Sequence, residues 1–465
     1  MSLVLGIDSS TQSCKALLVD ALTGDVVEER RAAHPGGTQV DPASWVEALE
    51  SCTSDLLARA DAVAVAGQQH GMVALDSDCA VVRDAMLWND TSSAPEARQL
   101  TEELGGPAAC ADRIGSVMVA SFTGSKLRWL ANHEPEHAKR TATVLLPHDY
   151  LTWHLGGRRG LDTMTTDHGD ASGTAYYNTR TRRFEPELAS SYLGHDLALP
   201  RIAEPGEIVG ETASGACIAP GTGDNAAAAL GLGLGPGDVC VSIGTSGVAS
   251  ARVEHSVHDP SGLVAGFCDA TGAYLPLACT LNGAKVLDFA AMMLGVDHAQ
   301  LAEMALCAQP GSNGVTMLPY LDGERTPNRP NATGVFRGVT TATTREDLAR
   351  AVVEGVLGSM ADAIRAVEEA TGVTTGRVLL VGGAAKSRAL QEIAPQIFGV
   401  DVAVPQPREY VALGAARQAA WALTGELPAW KPAGTKTLTG EYDAATAERY
   451  AALRDLTSGW EDPSE

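Results

Sequence analysis

The pattern that most restricts the fold is an apolar segment, a turn of small hydroxyl residues and a second apolar segment, occurring twice. Residues 3–8 (LVLGID) run into Ser9-Ser10-Thr11-Gln12-Ser13 and then into residues 14–20 (CKALLVD). Residues 238–242 (DVCVS) run into Ile243-Gly244-Thr245-Ser246-Gly247 and then into residues 248–253. Each reads as two strands joined by a polar turn, and the recurrence predicts an internal structural duplicate. A chain of 465 residues is too long for one ordinary core, so the duplicate implies two large domains. The Gly/Pro-rich stretch at 234–237 marks the boundary, giving domains 1–236 and 237–465.

Further elements surround the first hairpin. Thr23-Gly24-Asp25 forms a turn into a third strand over 26–32, an antiparallel meander. Asp41 as N-cap and Pro42 at the first helical position open a helix whose apolar face runs through Trp45, Leu49, Leu56 and Leu57. A buried strand over 62–66 (AVAVA) feeds GQQHG. The order β-β-β-α-β predicts a mixed sheet rather than a repeated βαβ fold. Residues 85–219 read as irregular, with a strand into Leu87-Trp88-Asn89-Asp90, helices near 94–104 and 126–132, and a loop region over 166–178 facing a cleft. The second half alternates more regularly. A long helix near 344–370 precedes a strand over 377–381, a helix through Ile397, a strand over 400–404 and a helix near 411–423. The tail after Pro432 reads as a helical satellite with an acidic, frayed end.

Charge excludes several functions. A net charge of -23 argues against a nucleic-acid or anionic-membrane partner. It also means that any phosphate ligand must be held by backbone amides, a few placed cations and a divalent metal. The nine scattered cysteines form no CxxC pair, so neither a disulfide framework nor a zinc site is expected. No signal peptide and no membrane span are expected, and the protein reads as cytoplasmic.

Several residues can carry chemistry, each beside a plainer alternative. The turns at 9–13 and 244–247 can present amides and hydroxyls to a phosphate, although such turns are common between strands. Lys15, just past the first turn, is the best-placed local cation; a lone lysine is otherwise a solvated side chain. Asp8 either caps the turn or holds Mg²⁺ through water, since Mg²⁺ keeps much of its hydration. Asp224 and Asn225 either cap the helix that begins AAAAL or present a base and an amide at a cleft floor. Gln68, Gln69 and His70 suit a polyhydroxyl ligand because each can donate and accept; a satisfied core histidine is the alternative for His70. Gly382-Gly383 lets backbone approach a flat or phosphorylated ligand, a weak signal because a tight strand-to-helix turn wants glycine anyway. Asn331-Ala332-Thr333 matches a glycosylation acceptor that has no meaning in a cytoplasmic chain. His148-Asp149 and Asp167/Asp170 lack metal-ligand spacing.

Together these stretches resemble the FGGY carbohydrate kinases of the actin-like ATPase superfamily, over roughly residues 4–423. The matching pieces are GIDSSTQSCKALL, GQQHG, LWND, PHDYL, TDHGDASGT, GTGDNAAAALG, SIGTSG, YLDGERTP, VGGAAKSRALQEIAPQIFGVDV and ALGAA. The resemblance implies an α/β fold of two ribonuclease-H-like domains, with mixed sheets flanked by helices and a deep interdomain cleft. The sugar would lie mainly on the first domain and ATP mainly on the second. By motif, Asp224 would be the general base and Asp8 the acid near Mg²⁺ and the γ-phosphate. Gln69, His70, Asn225 and, within LWND, Trp88 would contact the sugar. Thr11, Lys15, Gly244 and Thr245 would hold phosphate, and Gly382, Gly383 and Ser387 the adenosine side. GQQHG, LWND, DASGT and GERTP point to the branch that makes D-xylulose 5-phosphate from D-xylulose. The expected partners are this sugar and ATP, and a homodimer is compatible with them. The glycines near 231–237 would lie at the hinge.

Two departures stand out. The family's usual Met-His is Gln69-His70 here, which favours a more polar sugar contact and keeps ribulose, another ketose, or a glycerol-like or arabinitol polyol open. The usual arginine after LWND is replaced by Ser92-Ser93, which would loosen the loop there. An actin-like ATPase chaperone or filament would need an extension that the sequence does not show, and a non-catalytic sugar sensor would not need both acids.

Overall fold

In a computed structural model, residues 2–430 and 434–460 are described. The acidic end beyond residue 460 lies outside them. The chain packs into two compact units. The first comprises residues 1–233, 254–275 and 408–432, and the second comprises 234–253, 276–407 and 433–465. A single cut between 236 and 237 therefore does not describe the packing, because two later segments join the first unit. The second of these carries the Tyr410–Thr424 helix.

The first unit is built on a seven-stranded sheet. Leu3–Ser9, Ser13–Asp20 and Val26–Ala33 form the expected antiparallel meander, with Asp8 opposite Lys15. Ala62–Gly67 then pairs parallel to Leu3–Ser9, with Asp8 beside Ala66. Trp45, Leu49, Val63, Val65 and Tyr150 fill one face of the sheet. The other face is covered by Tyr410–Thr424, whose alanines pack on Val4, Ala62 and Ala64. A Cβ at Gly6 would lie 2.0 Å from the Ala412 carbonyl oxygen. A Cβ at Gly414 would lie 1.9 Å from that of Ala227 in the Asp224–Leu232 helix. The Ala/Gly runs at 226–233 and 412–416 are therefore small because backbone meets backbone there.

Local expectations are corrected in four places. The helix after Asp41 spans Ala43–Thr53 with Pro42 in the cap position, while Asp41 Oδ1 accepts the Ala43 N–H at 2.9 Å. The strand before LWND ends at Met86. The stretch read as irregular carries the two expected helices, at Ala94–Glu103 and Thr123–His133, and four that were not expected, Pro107–Ile114, Pro135–Arg140, Pro147–Leu155 and Pro186–Leu193. These four begin with proline at the first helical position, a start signal that needs no long apolar repeat. The loop region expected over 166–178 is buried through residue 177 and contains the short His168–Ala171 helix.

The second unit repeats the plan. Asp238–Ile243 and Gly247–Ala251 form the hairpin, Leu277–Thr280 extends it antiparallel, and Arg377–Val381 pairs parallel to Asp238–Ile243. Asp401–Pro405 and Thr435–Leu438 continue the sheet. The long helix Arg345–Thr371 starts on a Thr344–Asp347 capping box. The tail helix Ala444–Leu456 is no loose satellite, since Tyr450 and Leu453 are buried with Leu318 and Tyr320.

Candidate active site

At the end of the first strand, Asp8 is 1% exposed. Ser10 donates its hydroxyl to Asp8 Oδ1, and Lys15 Nζ lies 3.4 Å from Oδ2. Burial raises the Asp8 carboxyl above its ordinary range, against the Ser10 bond and the Lys15 charge. The ammonium of Lys15 is not waiting free for a ligand. It sits 2.6 Å from Glu409 Oε2, a residue that no sequence motif marks. Burial disfavours that ammonium, but Glu409 and Asp8 outweigh it and its pKa is raised. The 9–13 turn is pinned by His34, whose ring meets the Ser10 carbonyl at 2.8 Å and whose N–H donates to the Gln12 carbonyl at 3.0 Å.

Asp224 opens its helix, but the cap position belongs to Gly223 and no side chain caps it. The carboxylate therefore does not sit at the N-cap, although the backbone N–H groups of Asn225 and of Asp224 itself bond to it. Burial pushes its pKa up to about 7, helped by the charges of Asp8 and Asp170. Asn225 Nδ2 donates to Gln69 Oε1 at 2.8 Å and approaches Asp224 Oδ1 at 3.3 Å. Gly223 makes room for this arrangement, since a Cβ there would lie 2.6 Å from Gln69 Cγ. His70 adopts φ 67 and packs edge-on to Phe122, with ring centroids 5.1 Å apart, and tilted against Phe267 at 5.4 Å. Gln68 is 1% exposed with neither amide atom paired among the described residues.

Beneath this group lies a buried charge cluster. His148 Nδ1 meets Asp170 Oδ2 at 2.7 Å, and its Nε2 lies 3.1 Å from Asp149 Oδ1. Burial works against the imidazolium, yet Asp149, Asp170 and Asp167 hold it protonated, its pKa raised to about 9. Asp167 caps the His168–Ala171 helix and accepts the Thr222 hydroxyl at 2.6 Å, two residues before Asp224. A Cβ at Gly221 would lie 2.8 Å from the His148 ring. The cluster thus supports the strand that delivers Asp224. Spacing alone showed only that these residues do not form a metal motif. Among the described residues no group of three or more His, Cys, Asp or Glu could hold a metal.

Trp88 is 44% exposed and donates its indole N–H to Thr11 Oγ1 at 2.9 Å, joining LWND to the first turn. The serines in place of arginine do not leave the loop loose. Ser92 donates both its N–H and its hydroxyl to Asp90 Oδ1, and Ser93 donates to the Ala120 carbonyl at 2.8 Å.

In the second unit, the turn of Gly244 and Thr245 packs on Gly283. The Gly283 N–H donates to the Thr245 carbonyl at 3.0 Å, and Ala284 N–H to the Gly244 carbonyl at 2.6 Å. Gly382, at φ 91, leaves no room for a side chain, since a Cβ would lie 2.6 Å from the Ile243 carbonyl oxygen. Gly383 instead borders open space. Gly383 and Ser387 line a mainly apolar cavity of ≈ 590 Å³ with Ala284, Leu287, Ala302 and Leu306. A flat heterocycle fits a cavity of this size and lining.

The structure thus brings together Asp8, Lys15, Asp224, Asn225, Gln69 and His70 in the first unit, and Gly382, Gly383 and Ser387 in the second. Glu409, Phe122 and Phe267 were missed. Glu409 is 394 residues from its lysine, and no local pattern marks the pair.

Comparison with known proteins shows the family. The N-terminal domain of the FGGY family of carbohydrate kinases matches residues 3–231, and the C-terminal domain matches residues 239–423. A xylulose kinase of Streptomyces coelicolor is 45% identical, across 97% of this chain and 95% of its own length. A xylulose kinase of Escherichia coli is 34% identical, across 85% of this chain and 84% of its own. The crystal structure of xylulose kinase from Bifidobacterium adolescentis superposes with a TM-score of 0.92 at 45% identity, covering 97% of this chain and 99% of that one. The chain belongs to the FGGY family of carbohydrate kinases, sugar phosphotransferases whose membership implies ATP as phosphoryl donor.

Proposed function

We propose that the protein transfers the γ-phosphoryl group of ATP to D-xylulose, giving D-xylulose 5-phosphate and ADP. The observation that carries the reaction is Asp224, a carboxylate in the first turn of a helix whose cap position is Gly223, with its pKa raised to about 7. A general base works best near the operating pH. The sugar hydroxyl oxygen forms its bond to the γ-phosphorus, its proton passes to Asp224, and the bond to the ADP oxygen breaks. The transition state is loose, so positioning and charge neutralisation matter more than base strength. Asn225 and Gln69, bonded to each other at 2.8 Å, are assigned to the sugar hydroxyls. His70, with Trp88 beside Thr11, completes the sugar contacts. Thr11, Lys15, Gly244 and Thr245 are assigned to the phosphates, and Gly382, Gly383 and Ser387 to the adenosine. The domains are assigned as 1–236 for sugar and base and 237–465 for nucleotide, with the helix at 410–424 serving the first.

Asp8 fits Mg²⁺ held through water, because a single buried carboxylate offers too few ligands for direct capture and Mg²⁺ keeps several waters. When bound, the metal supplies charge neutralisation at the phosphate oxygens. The nine cysteines are all free, which supports work in a reducing cytoplasm. Among the described residues no helix is long and apolar enough to cross a membrane.

Gln69 in place of the family's Met favours a second reading, ribulose or a polyol such as arabinitol. A coupled ATP assay with Mg²⁺ across pentuloses, polyols, glycerol and gluconate separates the two. D-xylulose should be turned over fastest, and strong turnover of another sugar with none of D-xylulose would retain the kinase but overturn the substrate.

A further inference from the structure

The Lys15 corner holds a contact that the phosphoryl transfer leaves unused. Lys15 Nζ lies 2.6 Å from Glu409 Oε2 and 3.4 Å from Asp8 Oδ2. A short charge-assisted bond to one carboxylate and a long one to the other place the cation mainly on Glu409. Glu409 is anchored by the helix Tyr410–Thr424, which begins at the next residue. Its carbonyl accepts the Leu413 N–H at 2.9 Å, in the first turn of that helix. The helix lies on the strand ending at Asp8 without slack, since a Cβ at Gly6 would be 2.0 Å from the Ala412 carbonyl oxygen. The carboxylate therefore reaches the lysine from a fixed point rather than from a mobile tail.

With Asp8 and Glu409 both ionised around one ammonium, the corner carries a net negative charge. That charge repels an incoming polyphosphate. Yet the Lys15–Glu409 pair is only partly buried, with side chains 18% and 34% exposed, so water screens it and a phosphate oxygen can displace it.

We propose that Glu409 is a positioning residue that competes with the nucleotide's terminal phosphate for Lys15, keeping the ammonium parked until that phosphate arrives. The inference rests on the assignment of Lys15 to phosphate. It also accounts for why a chain with a net charge of -23 places another carboxylate beside the cation its phosphate would need.

The test is steady-state kinetics of the full chain, varying ATP at saturating sugar and sugar at saturating ATP. Glu409→Gln should lower the KM for ATP about two- to fivefold, equivalent to ~0.4–1 kcal/mol, the upper range of a partly exposed pair. The KM for sugar should not move. Lys15→Met should raise the KM for ATP, and adding Glu409→Gln to it should change nothing further. If Lys15→Met raises the KM for ATP while Glu409→Gln leaves it unchanged or raises it, the competition is overturned and the phosphate role of Lys15 survives. Equal shifts in both KM values would mark a purely structural role and also overturn it. If Lys15→Met leaves the KM for ATP unchanged, the phosphate assignment itself falls, and the proposal with it.

Discussion

Asp224 lies in the field of two other carboxylates. Burial and the charges of Asp8 and Asp170 raise its pKa to about 7, so it holds a proton that an exposed aspartate would lose near pH 4. The sign has two consequences. The folded state binds this proton more tightly than the unfolded chain, so the associated stability is lost as pH rises through about 7. Activity moves the other way, because only the carboxylate can take the hydroxyl proton. We expect kcat/KM to rise with pH along a single limb centred near 7. A profile flat from pH 5 to 9 would count against Asp224 as the base. Asp8, Asp224, Asn225, Gln69 and His70 were legible in the sequence because each sits where a strand or glycine run ends, and chain breaks of that kind present side chains. The engagement of Lys15 was not legible, because Glu409 and the helix that carries it come from 394 residues away.

Among elements, the supports of the site carry the sharper stability predictions. His148 is fully buried between Asp149 and Asp170. Replacing it with glutamine leaves buried carboxylates without their cation, a loss of about 3–5 kcal/mol, and the Tm should fall by roughly 10 °C. With the folded pKa raised to about 9, the imidazolium's contribution is full below its unfolded value and is lost as pH rises through 9. The variant should therefore lose less Tm than the parent between pH 7 and pH 9, and an equal or larger loss would contradict a protonated His148. The helix pair Asp224–Leu232 and Tyr410–Thr424 offers a second test. Gly414→Ala would normally gain up to ~1 kcal/mol in a helix. Here the added methyl meets the Ala227 carbonyl at 1.9 Å, so overpacking of ~1–3 kcal/mol should win and thermal unfolding should begin earlier. The strands of both hairpins were readable from short apolar runs and turn chemistry. The helices near 94–104 and 126–132 were readable too, but the four others up to residue 193 were not, because they are short, begin at proline and show no long apolar period.

For the whole molecule, the duplicated strand–turn–strand pattern was enough to anticipate two related sheets, and both are present with the same antiparallel and parallel pairings. What the pattern could not carry was the allocation of segments. Residues 254–275 and 408–432 pack with the first unit although they come after the apparent boundary. Only packing decides this, as when Gly6 accepts the backbone of Ala412. In the proposed reaction, phosphorylation of the pentulose runs through Asp224. The most direct measurement is D-xylulose-stimulated ATP consumption by the parent and by Asp224→Asn, with thermal unfolding of both recorded alongside. Loss of the base should cut kcat by ~10²–10⁴-fold while leaving the unfolding transition in place. An Asp224→Asn enzyme that keeps its fold and more than roughly a hundredth of the parent's turnover would rule Asp224 out as the base.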